Sequence, residues 1–278
     1  MLESFLVTLR EGIEAALLIG IILAYLARTG NQDKGRSVWA GVAGGILFSI
    51  GIGGAIIAIV GELDKNAERI FEGVATLLAC GVLTWMILWM RRNAANLAGE
   101  IRDQVDVALA KNSNFALGFL ALVAVGREGL ETVLFLFAFS RDSGVSAALI
   151  GGGLGLGLAV VLGVLLYRGS RVLDLRSFFK FSGILLIFFG AGLLAYGVHE
   201  LQDASVIPFL LEQKELWNIN HILNDKKGVG VFLKALFGYN GNPSLIETVL
   251  YVTYLVGTLT LFLKPVGAHA KPASDTAN

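Results

Sequence analysis

Residues 4–27, SFLVTLREGIEAALLIGIILAYLA, form an apolar run with Arg10, Glu11 and Glu14 set inside it. A hydrocarbon core of about 30 Å is crossed by about 20 mostly apolar residues, so the run is long enough to span a bilayer. A charged side chain at the centre of such a span costs about 2.5–3.5 kcal/mol on insertion scales, so charges kept there face the inside of a helix bundle and mark an ion path. The run opens with Glu3 and shows no convincing small-residue cleavage site, so it reads as a span of the mature protein and not as a leader.

Six further runs of the same kind follow, at 38–60, 70–90, 115–140, 145–167, 178–199 and 244–263. The chain of 278 residues is 55% hydrophobic and 16% charged, with a mean hydropathy of +0.71. A soluble domain carries about 25% charged residues. The expectation is an all-α, polytopic integral membrane protein with seven transmembrane helices, the lipid bilayer being its first partner. The net charge is zero and the charges gather in short clusters between the apolar runs, so nothing points to nucleic acid. The single cysteine, Cys80, lies in an apolar stretch and reads as a small buried hydrophobe.

Lysine and arginine set the orientation. One side of the membrane collects Arg28, Lys34, Arg36, Arg91, Arg92, Arg102, Lys111, Arg168, Arg171, Arg176, Lys180, Lys264 and Lys271. The other has Lys65, Arg69, Arg141, Lys214, Lys226, Lys227 and Lys234, most of them in one long connection that weighs less. The expected topology is therefore N-terminus outside and C-terminus inside. Trp85 and Trp89 then fall near the cytoplasmic end of the third span, as interfacial aromatics.

The fourth span repeats the first: Arg127-Glu128-Gly129-Leu130-Glu131 matches Arg10-Glu11-Gly12-Ile13-Glu14 at four of five positions. Spans two and five are both glycine-rich, and Phe71-Glu72-Gly73 opens the third span as Phe181-Ser182-Gly183 opens the sixth. Three spans per copy place the second copy upside down, an inverted repeat of the kind transporters build around a pseudo-two-fold axis. The units are 1–92 (repeat one), 113–200 (repeat two), 201–243 (an extracytoplasmic connection with interfacial or re-entrant helices), 244–263 (the seventh span) and 264–278 (a disordered cytoplasmic tail). With the first span beginning near Ser4, Glu11 and Glu14 lie about 10–15 Å below the outer surface, and Glu128 and Glu131 about 6–10 Å. The two motifs can meet.

Within each motif the spacing puts both carboxylates and the arginine on one side of a helix. Arg10 and Arg127 can orient Glu14 and Glu131, and Gly12 and Gly129 leave room for a neighbouring helix or a hydrated ion. Four glutamates and two arginines sum to −2, and Glu72 would make −3, which suits a divalent or trivalent cation; Glu72 reads equally well as an interfacial bystander. All-oxygen ligands select hard cations without selecting iron among them. Glu62, Asp64 and Glu68 in one outer connection, and His199, Glu200 and Asp203 in another, are candidate metal-entry residues or ordinary loop acids. His221 reads as a polar-face residue and Glu247 as interfacial. The run Gly151–Gly157 has neither a strand before it nor a Lys-Ser/Thr after it, which excludes a nucleotide loop. No histidine follows either motif at the Glu-x-x-His spacing of di-iron bundles, so no enzyme is expected.

Carried by the doubled Arg-Glu-Gly-x-Glu signature, by Phe71-Glu72-Gly73 and by Leu83-Thr84-Trp85-Met86, the chain resembles the oxidase-dependent iron permeases, and by its length and short tail their bacterial Efe-type branch. The resemblance implies a seven-helix permease in the plasma membrane, the inner membrane of a bacterium. Iron would be the transported substrate, with no permanently bound cofactor, and Glu11, Glu14, Glu128 and Glu131 would be its ligands. It also implies an extracytoplasmic oxidase or iron-delivery partner that supplies ferric iron; oligomerisation is compatible with it. Two other readings stand beside this one: a membrane iron sensor that binds without translocating, and a permease for another hard cation such as manganese or lead.

Overall fold

The computed structural model describes residues 1–93, 96–110, 113–167, 175–206, 216–224 and 228–264. Their regular structure is helical: α1 (Leu2–Arg28), α2 (Gly35–Gly61), α3 (Lys65–Asn93), α4 (Leu97–Ala110), α5 (Asn114–Ser143), α6 (Val145–Tyr167), α7 (Leu175–Asp203), α8 (Val229–Phe237) and α9 (Leu245–Leu263). Ser113 and Ser244 start α5 and α9 by accepting the Ala116 and Glu247 amides on their hydroxyls, the usual satisfaction of an open helix N-terminus. Five helices, α2, α3, α6, α7 and α9, are long and apolar enough to cross a membrane. The remaining two long helices, α1 and α5, carry the two charged motifs. Of the tail 264–278, expected to be disordered, all but Lys264 lies outside the described residues.

Small residues set which helices touch and in which direction. Along α1 and α6 the near neighbours are Met1 and Gly151, Thr8 and Gly155, Gly12 and Ala159, and Ala16 and Gly163, so the two helices run parallel in a four-residue register. Helices α2 and α5 do the same, through Ser37 and Gly118, Gly41 and Ala121, Gly45 and Val125, and Ser49 and Gly129. Helices α3 and α7 are antiparallel, with Gly73 against Leu201 and Leu77 against Gly197. So are α7 and α9, with Gly183 against Phe262 and Gly190 against Tyr254. Close approach at small residues is how helices pack without a hydrophobic driving force between them. If α1 corresponds to α5 and α2 to α6, the α1–α6 pair is the counterpart of α5–α2.

The depth expected for the first motif changes. Met1 lies beside Gly151, six residues into α6, so α1 starts about 9 Å further into the bundle than a span beginning at the surface would. Gly12 is level with Ala159, about 21 Å from the start of α6 and about 12 Å from its end. The first motif therefore lies deeper from the start of α6 than the about 10–15 Å counted from the sequence. Glu3 and Ser4, buried at 8% and 0% exposure, record the same recession of the chain start.

Part of the long connection enters the bundle. Helix α8 packs on α7 and reaches α1, with Phe237 edge-on to Phe188 at 5.1 Å. Its C-cap, Gly238, adopts φ +63° and lies against Gly192, about 16 Å along α7 from Asp203. A glycine suits both demands, the left-handed backbone and the close approach. Residues 216–224 form turns tied to 241–243 by the Leu216 amide on the Pro243 carbonyl and the Ile219 amide on the Gly241 carbonyl, each 2.9 Å.

Candidate metal centre

The first motif sits on α1 at its closest approach to α6. A side chain on Gly12 would strike Ala159 and Leu156, so the glycine admits a helix and leaves the charged side chains to face the other way. Gly129 does the same for α2, where its neighbour is Ser49. Helices α1 and α5 also touch directly, and there the two motifs converge: one carboxylate oxygen each from Glu11, Glu128 and Glu131 lie within 4.8 Å of one another, all three side chains being buried.

Hydrogen bonding leaves this cluster unfilled. Glu11 Oε2, Glu128 Oε2 and Glu131 Oε2 find no donor among the described residues. Buried polar atoms are nearly always bonded, so unpartnered carboxylate oxygens on facing helices leave negative charge there without a donor. Glu14, buried at 8% exposure, is not one of the three; its Oε1 is 3.0 Å from the Arg10 guanidinium. Glu72 is buried too, on α3, and lies outside the three. The −3 balance that would have included Glu72 is thus not assembled at one point.

Both arginines rest on the same stretch of α3, Trp85 to Met90. Arg10 reaches Glu11 Oε1 at 3.2 Å and then donates to the thioethers of Met86 at 3.0 Å and Met90 at 3.4 Å. Arg127 donates Nε to Glu131 Oε1 at 3.0 Å while its guanidinium lies 5.4 Å and 5.3 Å from the ring centroids of Trp85 and Trp89. The stretch Trp85-Met86-Ile87-Leu88-Trp89-Met90 repeats Trp-Met at a spacing of four, so its rings make one strip and its sulfurs another. Trp85 and Trp89, expected as interfacial anchors, also stack on a buried motif's arginine. Only the four-residue repeat of the pair could have revealed this from sequence.

The candidate entry residues divide. Asp64 caps α3 by accepting the Ala67 amide at 2.7 Å, and Glu62 is exposed beside it. Arg69 of α3 is 3.7 Å from Asp203 of α7, which brings the two outer groups together. His199 Nδ1 is 2.8 Å from Glu247 Oε1, and Asn240 donates to Glu247 Oε2 at 2.9 Å. His199 and Asp203 therefore tie helices together. Glu247, read as a lone interfacial residue, is the buried centre of that tie. Glu68 and Glu200 lie partly exposed near the same helix ends. Cys80 is buried, its thiol donating to the Gly190 carbonyl at 3.3 Å.

The family model described as "Iron permease FTR1 family" matches residues 1–271. The chain belongs to that family. It is 36% identical over 276 residues to the "Ferrous iron permease EfeU" of Escherichia coli O6:H1 (strain CFT073), covering 97% of this chain and 98% of that protein. It is 34% identical over 280 residues to the "Ferrous iron permease EfeU" of Yersinia pestis, covering 100% and 98%. No solved structure matches. As a member of a permease family with several helices long and apolar enough to cross a membrane, the chain is a membrane transport protein.

Proposed function

We propose that this permease imports iron across the bacterial inner membrane through a single site formed by Glu11, Glu128 and Glu131, with Glu14 held in reserve on Arg10. The observation that carries the reading is the convergence of three buried carboxylate oxygens, from both motifs, within 4.8 Å. Removing one side of a buried ion pair, or crowding carboxylates without a partner, is destabilising; a cation at the centre relieves both. The ion travels as ferric iron, made from the ferrous form by an oxidising partner outside the membrane. All-carboxylate oxygen ligation supports the harder ion, while the relatives' printed name gives the ferrous one.

The topology that serves this is seven crossings, N-terminus outside and C-terminus inside, with 1–92 and 113–200 as inverted repeats. Its support is the pattern of directions: α1, α3, α6 and α9 share one direction, and α2, α5 and α7 the other, as the parallel and antiparallel pairings require. Access alternates as one repeat rocks against the other around the shared site.

Radioiron uptake into proteoliposomes tests the reading. Glu11→Gln and Glu131→Gln are each expected to abolish uptake; full uptake in both would overturn it. Running the assay with iron held reduced by ascorbate, and separately with a ferric chelate, decides the oxidation state. Binding of iron with no flux in any arm would indicate a sensor.

A further inference from the structure

A cavity of about 250 Å³ lies between α1 and α6 on the far side of the metal centre, and α4 contributes to its rim. It starts at Ala16, two residues beyond Glu14, and runs along α1 to Arg28, about 18 Å away. Its stem is apolar, formed by Leu17 and Leu166 above the bare backbone of Gly20. Its mouth carries Arg28 and Arg102, both exposed, with Tyr25 and Tyr167 beside them. The register of α1 on α6 sets its place: Ala16 is level with Gly163, and beyond that point the opposite face of α1 is buried on α4 and α5 through Ile22 and Leu26.

The described lining is unfavourable to a cation. Among the described residues no acid lines the cavity, and two cations stand at its mouth. Arg28 and Arg102 form no ion pair among the described residues. Asp103 and Asp106 share α4 with Arg102, and the Tyr25 hydroxyl donates to both Asp106 carboxylate oxygens at 2.8 Å. An apolar slot between membrane helices, ending in arginines and tyrosines at helix-end level, has the chemistry of one ligand class: a chain of methylenes with an anionic head.

We propose that this cavity binds an anionic phospholipid, its acyl chain in the slot along Gly20 and its phosphate between Arg28 and Arg102. Seated there, the lipid lies along the face of α1 that carries Leu17, Gly20 and Ile21, and so bears on the helix that holds Glu11 and Glu14. The proposal rests on the reading that α1 lies in the bilayer, and not on which face its end reaches.

Native mass spectrometry of the full-length protein in detergent tests it, with phosphatidylglycerol, phosphatidylcholine and glycerol 3-phosphate as probes. Phosphatidylglycerol is expected to be retained over phosphatidylcholine. Each arginine near a lipid phosphate contributes about 1 kcal/mol, so the double variant Arg28→Gln/Arg102→Gln should lower its retention about 30-fold. Arg102→Gln alone, on an exposed face, gives about fivefold without risk to folding. Gly20→Leu, where a Cβ meets nothing within 4 Å, should fill the stem and expel both lipids. Equal retention of the two lipids, unchanged retention in the arginine variants, or displacement of phosphatidylglycerol by equimolar glycerol 3-phosphate would overturn the proposal. Because this readout is lipid mass and not iron flux, its failure leaves the transport reading standing, and a failure of iron uptake leaves the lipid result intact.

Discussion

At the residue scale the two motifs share their arginine, glycine and both glutamates but not their surroundings. Arg10 is sealed at 2% exposure and bonded to sulfurs, whereas the Arg127 side chain is 38% exposed and covered by indole rings. A thioether is a weak acceptor, so Met86 and Met90 hold Arg10 in place without neutralising it. Leucine in their place keeps the volume and removes the acceptor: Met86→Leu/Met90→Leu should fold normally and lower iron affinity about tenfold, the size of effect expected when an outer partner of a metal ligand is lost. Isothermal titration with iron measures it, and unchanged affinity would count against the seat on α3. Arg127→Lys keeps the charge and loses the flat guanidinium that stacks on Trp85 and Trp89. Its expected signature is a changed tryptophan emission spectrum together with slower uptake; an unchanged spectrum would contradict the stack. The glutamates and arginines were legible in the sequence because a charge in an apolar run demands a reason. Their seats on α3 were not, because methionine and tryptophan look ordinary in a membrane span and only the three-dimensional pairing separates them.

At the element scale, the fold depends on close parallel packing of α1 on α6 and α2 on α5. Inserting side chains into a well-packed contact typically costs about 1–3 kcal/mol. Gly155 faces Thr8 and the α1 backbone, so Gly155→Leu should lower the melting temperature in detergent and abolish uptake. Gly157, with nothing within 4 Å of its Cβ position, is the control: Gly157→Leu should melt as the parent does. Equal melting of the two variants would show that the α1–α6 register is wrong. The glycine runs of spans two and five announced helix packing in the sequence, and their equivalence suggested the repeat. Which glycine faces a partner and which faces lipid was hidden, since every position in these helices is small or apolar. The starting depth of α1 was hidden for a related reason: an apolar run has no internal mark for the membrane surface, and only the contact of Met1 with Gly151 supplies one.

At the scale of the whole molecule, each motif helix packs on a glycine-rich helix from the other half of the chain, α1 on α6 and α5 on α2. Accessibility checks the crossing pattern. In a Cys80→Ala background, Gln32→Cys should be labelled only from the cytoplasmic side and Asp64→Cys only from the outer side; labelling of both from one side would remove α2 as a crossing. The central claim is that two motifs make one shared site, and metal stoichiometry tests it most directly. Iron bound per chain, measured by elemental analysis of the purified protein after equilibration and desalting, should be one. It should fall to near zero in Glu11→Gln and in Glu128→Gln alike, since each variant strips the same cluster from a different helix. Two irons per chain, with each variant losing only one of them, would contradict it.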